Sequence, residues 1–197
     1  MNQKKVWNKI AQKWEEMRKV PFEQDLEFIK KQKGKMLDLG CGSGRNFYKK
    51  KDLEIYGIDF SKKMIGYAKE SRIAKELKVM ENEEIPYKNN FFDAAVCIAV
   101  LHCVETNKQR EKMIKELFRV LKPKSEALIT VWGKNEPRVK NRPQESFVPW
   151  TIGKRKYKRY TYLYKKEELE NQLKKVGFEI VKSWENKNIN VIVQKSS

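Results

Sequence analysis

The sequence predicts an α/β fold: a doubly wound, mostly parallel seven-stranded sheet with helices on both faces. Three observations carry that expectation. Short apolar runs alternate with amphipathic helical spacing from Lys35 to Trp132. A glycine-rich turn, Asp38-Leu39-Gly40-Cys41-Gly42-Ser43-Gly44, closes the first run, and Asp59 closes the second. The run from Phe92 to Ala99 is almost continuously apolar, as a strand buried on both faces requires.

The elements follow in order. Val6, Trp7, Ile10, Trp14 and Met17 recur at helical spacing, so residues 6–18 are expected to be helical. After Pro21 a second helix over 22–31 turns Leu26 and Ile29 inward. Strands are expected at 35–39 and 53–58, with a helix opening at Arg45 and running to Lys51 between them. Ser61 suits an N-cap, since its hydroxyl can accept a free backbone N–H of the first turn. A short strand at 77–80, the strand at 92–99, a helix over 108–121 stopped by Pro123, and a strand at 127–132 continue the alternation. Residues 133–159 break the rhythm with Pro137, Pro143, Pro149, Gly153 and many cations. A helix over 165–176 then ends at Gly177, and strands at 179–184 and 190–194 close the sheet. One domain over 1–197 is expected, with N-terminal helices (1–33) and a basic insertion (133–160) as its accessory parts.

Composition narrows the class. At 197 residues, with 40% hydrophobic and 11% aromatic residues, the chain can bury a sizeable core. It has no run of about 18 apolar residues, so no membrane helix is expected. The N-terminus lacks the apolar stretch of a signal peptide, and a cytoplasmic protein is the expectation. Cys41, Cys97 and Cys103 form no CxxC pair and His102 is the single histidine, so the cysteines read as reduced thiols and no metal site is expected. Lys and Arg number 44 against 26 Asp and Glu, a net charge of +18. A field of that sign attracts polyanions, nucleic acid first among them, although a lysine-rich composition alone would also produce it.

The glycine turn carries the chemistry. Ligands of open α/β sheets sit beyond the carboxyl ends of the strands, and glycine lets the backbone approach them without a Cβ in the way. Asp59, 19 residues after Gly40, suits a ribose diol. A dinucleotide fingerprint would need glycine at position 45, which is Arg45. Asp38 would repel a pyrophosphate but suits the ammonium and sulfonium of S-adenosylmethionine, the cofactor this spacing favours.

Asp38-x-Gly40-x-Gly42-x-Gly44, Gly57-Ile58-Asp59-x-Ser61 and Ile85-Pro86-Tyr87 followed by Asp93 resemble the class I S-adenosylmethionine-dependent methyltransferases, which have a Rossmann-like sheet. Further segments narrow the likeness: Val6-Trp7-Asn8-x-Ile10-Ala11, Arg18 with Pro21, Ile98-Ala99-Val100-Leu101-His102, Arg119-Val120-Leu121-Lys122-Pro123, Val148-Pro149-Trp150 and Arg159-Tyr160. Together they are similar to the tRNA methyltransferases that esterify 5-carboxymethyluridine at the wobble position. The sequence departs from that family at Cys103 and Tyr162, where histidine is usual, and at Glu81, where aspartate is usual.

The resemblance implies a set of roles. Asp38, Gly40, Gly42, Gly44, Asp59, Glu81, Asn82, Ala99 and Val100 would hold the cofactor, Glu81 and Asn82 at its adenine and the carbonyls of Ala99 and Val100 at its ammonium. Arg18 and Arg159 are candidates to clamp the acceptor carboxylate, and His102 to hydrogen-bond the acceptor. Trp7, Trp150 and Tyr160 are candidates to stack on an extruded base. Lys154, Arg155, Lys156 and Lys158 are candidates for phosphates of an anticodon stem-loop. The resemblance also implies a tRNA substrate and a small zinc-containing activator protein in a heterodimer. Two other readings share the motifs: a methyltransferase acting on a small molecule, and a non-catalytic RNA-binding subunit that keeps only the fold.

Overall fold

The computed structural model describes residues 2–197. Helices α1 (Gln3–Met17) and α2 (Glu23–Lys31) precede the sheet. Strands β1 (Gly34–Leu39), β2 (Leu53–Asp59), β3 (Glu76–Val79), β4 (Phe92–Ile98) and β5 (Leu121–Val131) follow, with α3 (Lys62–Glu70) before β3 and α4 (Asn107–Val120) before β5. A hairpin of β6 (Glu145–Ile152) and β7 (Arg155–Tyr162) comes next, then α5 (Lys166–Val176), β8 (Phe178–Glu185) and β9 (Ile189–Lys195). The seven-stranded sheet has the order β3-β2-β1-β4-β5-β9-β8. Its first five strands are parallel, and β9 runs antiparallel to both of its neighbours. Strand order therefore reverses between β1 and β4, and the crevice opens above their carboxyl ends.

Local chemistry explains most helix ends. Ser61 caps α3 by accepting the Met64 N–H at 3.2 Å. Thr106 and Gln109 form a reciprocal capping box on α4. Gly177 takes φ 113°, a left-handed stop that ends α5. The sheet buries Leu37, Leu39, Leu117, Ile129 and Leu173 on one face, and Met36, Ile55, Ile65, Ala68 and Val96 on the other. Each of the Leu, Ile, Met and Val side chains contributes about 1.5–3 kcal/mol by leaving water.

Two expectations are overturned. Residues 45–51 form no helix; the chain turns tightly instead, with Gly44 N–H on Cys41 C=O and Phe47 N–H on Gly44 C=O, both at 3.0 Å. The glycine turn takes the first part of the short β1–β2 crossover, and the remainder is below the length at which a helix offsets its nucleation cost. Nor is the basic insertion 133–160 without regular structure, although the sequence predicts no helix or strand in it. Its second half pairs Val148 with Arg159 and Trp150 with Tyr157 in a ribbon that turns at Gly153, φ 55°. Pro149 is tolerated because a two-stranded ribbon consists only of edges.

Helix α1 lies between the hairpin and α3, and specific hydrogen bonds hold it there. Gln3 Oε1 accepts the Tyr160 N–H at 2.9 Å. Asn8 Oδ1 accepts the Ser61 hydroxyl at 2.9 Å and the Lys63 N–H at 3.1 Å. Trp7, Ile10, Ala11 and Met64 form an apolar cluster beneath, packed against Trp14, Trp150, Ile152 and Tyr157. Among the described residues no helix is long and apolar enough to cross a membrane. Replacing Gln3 by Ala leaves the buried Tyr160 N–H unpaired; urea denaturation should show a loss of about 1–3 kcal/mol.

Candidate active site

A cavity of about 570 Å³ lies beyond the ends of β1, β2 and β4. Gly40, Cys41 and Gly42 form one wall, Asp59 and Phe60 a second, and Ile98, Ala99 and Val100 a third. Trp7 and Trp14 of α1 line it as well. The N–H groups of Gly40 and Cys41 both reach Ile58 C=O, at 2.8 and 2.9 Å, which folds the loop down over β2. Gly40 has φ 73°, and a Cβ there would collide with the Val100 side chain. Ala99, a non-glycine residue at φ 60°, is held by its N–H on the Thr130 carbonyl and hydroxyl at 2.9 and 3.1 Å. Gly44 does not line the cavity; it serves the turn, where a Cβ would meet the Phe47 ring at 2.7 Å.

Two carboxylates set the electrostatics of this end. Asp38 is 1% exposed beneath the loop, and neither of its oxygens has a hydrogen-bond partner. Burial pushes it up to about 7, Arg45 pulling it down and Asp59 adding to the rise. Asp59 accepts the Gly42 N–H through Oδ2 at 3.0 Å and the Ser61 N–H through Oδ1 at 2.8 Å. Burial still raises it to about 6, against those two bonds. Glu81 and Asn82 stand at the exposed rim, in a turn closed by Glu84 N–H on Glu81 C=O at 3.1 Å. An unpaired buried carboxylate is costly unless a cation or a proton meets it. Asp38 under a glycine-walled cavity of this size fits S-adenosylmethionine, whose sulfonium and ammonium are both cationic.

Behind the tryptophan wall lies a second cluster, which does not open directly on the cavity. Arg159, 4% exposed, sits among four indoles, with Cζ 5.0 Å from Trp150, 5.6 Å from Trp14, 5.9 Å from Trp7 and 6.0 Å from Trp132. Its side chain makes no hydrogen bond or ion pair among the described residues, and its buried Nε is unpartnered. Burial lowers it to about 10, with Cys103 opposing and Arg138 and Arg18 adding to the fall. Arg18, at the C-cap of α1, is half-buried with its Cζ 5.5 Å from the Trp14 ring. Burial lowers its pKa too, Arg138 and Arg45 contributing and Glu136 opposing. Arg138 is the one paired member of the group, on the buried Glu136 at 2.6 Å.

His102 is 2% exposed and lies outside the cavity lining, stacked on Trp132 at 4.7 Å. Its Nδ1 accepts the Trp132 N–H at 3.3 Å, which leaves the ring proton on Nε2. Burial, then Arg159 and Arg138, push it down to about 3, so it is neutral at pH 7. Tyr160 is buried, edge-on to Phe147 at 6.0 Å, so its ring is not available to stack on a base as the sequence suggested. Trp150 packs on Trp14 at 5.2 Å. Lys154, Arg155, Lys156 and Lys158 are all exposed around the hairpin tip. Among the described residues no three metal-ligating side chains converge.

The sequence reading missed Trp14, Trp132, Cys103 and Arg138. Four of the five tryptophans surround Arg159, but they come from three separate parts of the chain, α1, the end of β5 and β6, so linear spacing carries no sign of it.

A methyltransferase-domain family model matches residues 37–129, from β1 to β5. The chain carries a class I methyltransferase domain. Its sheet order and switch-point cavity agree with that match, and domain and fold together indicate S-adenosylmethionine as the cofactor. The domain resembles the tRNA (carboxymethyluridine(34)-5-O)-methyltransferase of Saccharomyces cerevisiae, 31% identical over 78% of this chain and 58% of the relative. It also resembles the Schizosaccharomyces pombe protein of the same name, 26% identical over 97% and 95% of the two chains. The chain spans less than two thirds of the length of the budding-yeast relative. An S-adenosylmethionine-dependent methyltransferase from Clostridium acetobutylicum shares the fold with TM-score 0.74 at 14% identity, over 97% and 99% of the two chains. A structure of the Haloferax volcanii Trm112 methyltransferase activator in complex with a methyltransferase shares it with TM-score 0.72 at 12% identity, over 100% and 99%.

Gly40→Ala should weaken S-adenosylmethionine binding by more than about tenfold in calorimetry, and adding Val100→Ala should restore part of it, since the clash but not the strained φ is relieved. Affinity should also fall as pH drops through 7 and 6, the values to which Asp38 and Asp59 are raised. The sign follows from linkage: the cofactor's cationic end favours ionised Asp38 and its ribose hydroxyls donate to ionised Asp59, so binding releases protons once these groups are protonated. Calorimetry in two buffers of different ionisation enthalpy reads that release directly.

Proposed function

We propose that this protein esterifies the carboxylate of 5-carboxymethyluridine at the wobble position of tRNA, forming 5-methoxycarbonylmethyluridine. The observation that carries the reading is Arg159, a buried guanidinium with no carboxylate beside it, one layer of indoles behind the cavity. A buried arginine ordinarily has an acidic partner. Here the substrate supplies it.

The bound cofactor presents an electrophilic methyl group on a sulfonium. An acceptor carboxylate, with a pKa of about 4, is already anionic at pH 7 and needs no general base. The chain's task is alignment, which can supply on the order of 7–11 kcal/mol at best, and exclusion of water. Arg159 and Arg18 hold the acceptor oxygen that does not react, and their forked guanidinium geometry suits a planar carboxylate. Neutral His102 donates through Nε2–H, either to the acceptor or to the groups that orient Arg159. Trp7 and Trp14 stand between Arg159 and the cavity and offer indole faces to an unstacked uracil.

Asp38, Gly40, Gly42, Asp59, Glu81, Asn82, Ala99 and Val100 surround the cofactor, and Gly44 shapes the loop. The exposed Lys154, Arg155, Lys156 and Lys158 carry the anticodon stem-loop through its phosphates. Helices α1 and α2 and residues 133–160 are accessory parts of the same domain and build the acceptor side. The likeness to a methyltransferase in complex with an activator supports a small zinc-containing activator as partner in a heterodimer. With tRNA as its substrate, the protein acts in the cytoplasm.

Nucleoside mass spectrometry of tRNA from cells lacking the protein should show 5-carboxymethyluridine in place of its methyl ester. Unchanged nucleosides, with methylation of a small carboxylic acid instead, would overturn the reading. In the reconstituted reaction Arg159→Ala should lower kcat/KM on the order of 100-fold, and Lys154→Glu with Lys156→Glu should weaken tRNA binding and flatten its salt dependence.

A further inference from the structure

Three charged side chains gather at the loop end of the cavity without a partner of ordinary geometry, and the reading above uses only Asp38. Asp25, in the first turn of α2, is 0% exposed, and neither of its carboxylate oxygens accepts a hydrogen bond. Arg45 follows Gly44 directly and lines the cavity. It lies near enough to both Asp25 and Asp38 to feel their charge, yet it pairs with neither. Its guanidinium lies over the Phe22 ring, 5.3 Å from Cζ to the ring centre.

An arginine beside two carboxylates ordinarily forks onto one of them. Arg45 instead belongs to the cavity wall, on a loop that the Gly42–Asp59 hydrogen bond holds at 3.0 Å. The cavity therefore has a cation in its wall and, at the same end, the Asp38 carboxylate buried beneath its glycine loop. An α-amino acid terminus, with its ammonium and carboxylate on one carbon, matches such a pair. Arg18 lies near Arg45 as well and adds positive potential on that side.

We propose that Arg45 is a specificity residue of the cavity: its guanidinium receives the α-carboxylate of the cofactor's amino-acid end, opposite Asp38, and the nearby Asp25 charge biases its position without pairing with it. The inference rests on S-adenosylmethionine being the cofactor. It gives Arg45, the residue that breaks the dinucleotide spacing, a positive task. The competing account makes Arg45 a purely structural counter-charge to the two aspartates.

Calorimetry with two ligands separates these accounts: S-adenosylmethionine, and its decarboxylated analogue, which keeps the sulfonium and amine. Arg45→Gln should weaken the first on the order of 10- to 100-fold and leave the second within about twofold. Arg45→Lys should fall between, since it keeps the charge and loses the fork. Asp25→Asn should give a smaller loss of the same ligand-selective kind. Equal weakening of both ligands by Arg45→Gln, total loss included, overturns the proposal, as does no weakening of either. If the unaltered protein binds neither ligand, the cofactor reading fails and takes this inference with it. Binding of the decarboxylated analogue by the variants is itself the check that they are folded.

Discussion

The Asp59 carboxylate takes one backbone N–H from Gly42 and another from Ser61, and so joins the loop after β1 to the start of α3. Hydrogen bonds to a charged acceptor contribute about 1.5–3 kcal/mol each, and here they also hold a buried carboxylate that would otherwise be costly. The Gly40 and Cys41 N–H groups, both on Ile58 C=O, tie the same loop to the end of β2. Gly40 then approaches Val100 at the end of β4, so three strand ends meet around one turn. Shape there is set by the fold itself, and a ligand entering it has little ordering left to offset.

The two ends of the site differ in sign. Asp38 and Asp59 make the loop end acidic, and the position of Arg45 introduces a single cation into it. Behind Trp7 and Trp14 the balance reverses, with Arg18, Arg138 and Arg159 close together and only Glu136 among them. Like charges at that spacing are tolerated because indole faces receive the cations and burial lowers their proton affinity. That polarity suits transfer from a cationic donor to an anionic acceptor. The surface excess, +18 overall, extends outward along the hairpin at Lys154, Arg155, Lys156 and Lys158.

Much of the frame was legible in the residues. Alternation placed all five parallel strands and both closing strands, because each holds a short apolar run with punctuation at its ends; only β5 starts well before its expected bound, at Leu121 and not 127, since its first residues are mostly polar and carry Pro123. Ser61 and Gly177 announced a cap and a stop through local chemistry alone. The helix expected after Gly44 failed because its pattern was too short to support one, and Phe47 packs against the glycines instead. The hairpin was hidden because Pro149 and the cations mask alternation that matters on one face only. Tyr160 illustrates the same limit: it closely follows a run of exposed cations, Lys154 to Lys158, yet its own ring faces the core.

What the sequence by itself determined was the sheet, its switch point and the glycine loop with Asp38 and Asp59, since each depends on contacts near in the chain or on strict strand periodicity. Only the tertiary structure decided that Arg159 lies in a box of indoles from α1, the end of β5 and the hairpin, that His102 is buried and neutral, and that Arg45 stands with Asp25 and Asp38. Those arrangements depend on burial and on charges brought together from distant segments. Neither has a linear signature, because desolvation and Coulomb interactions act through space and not along the chain.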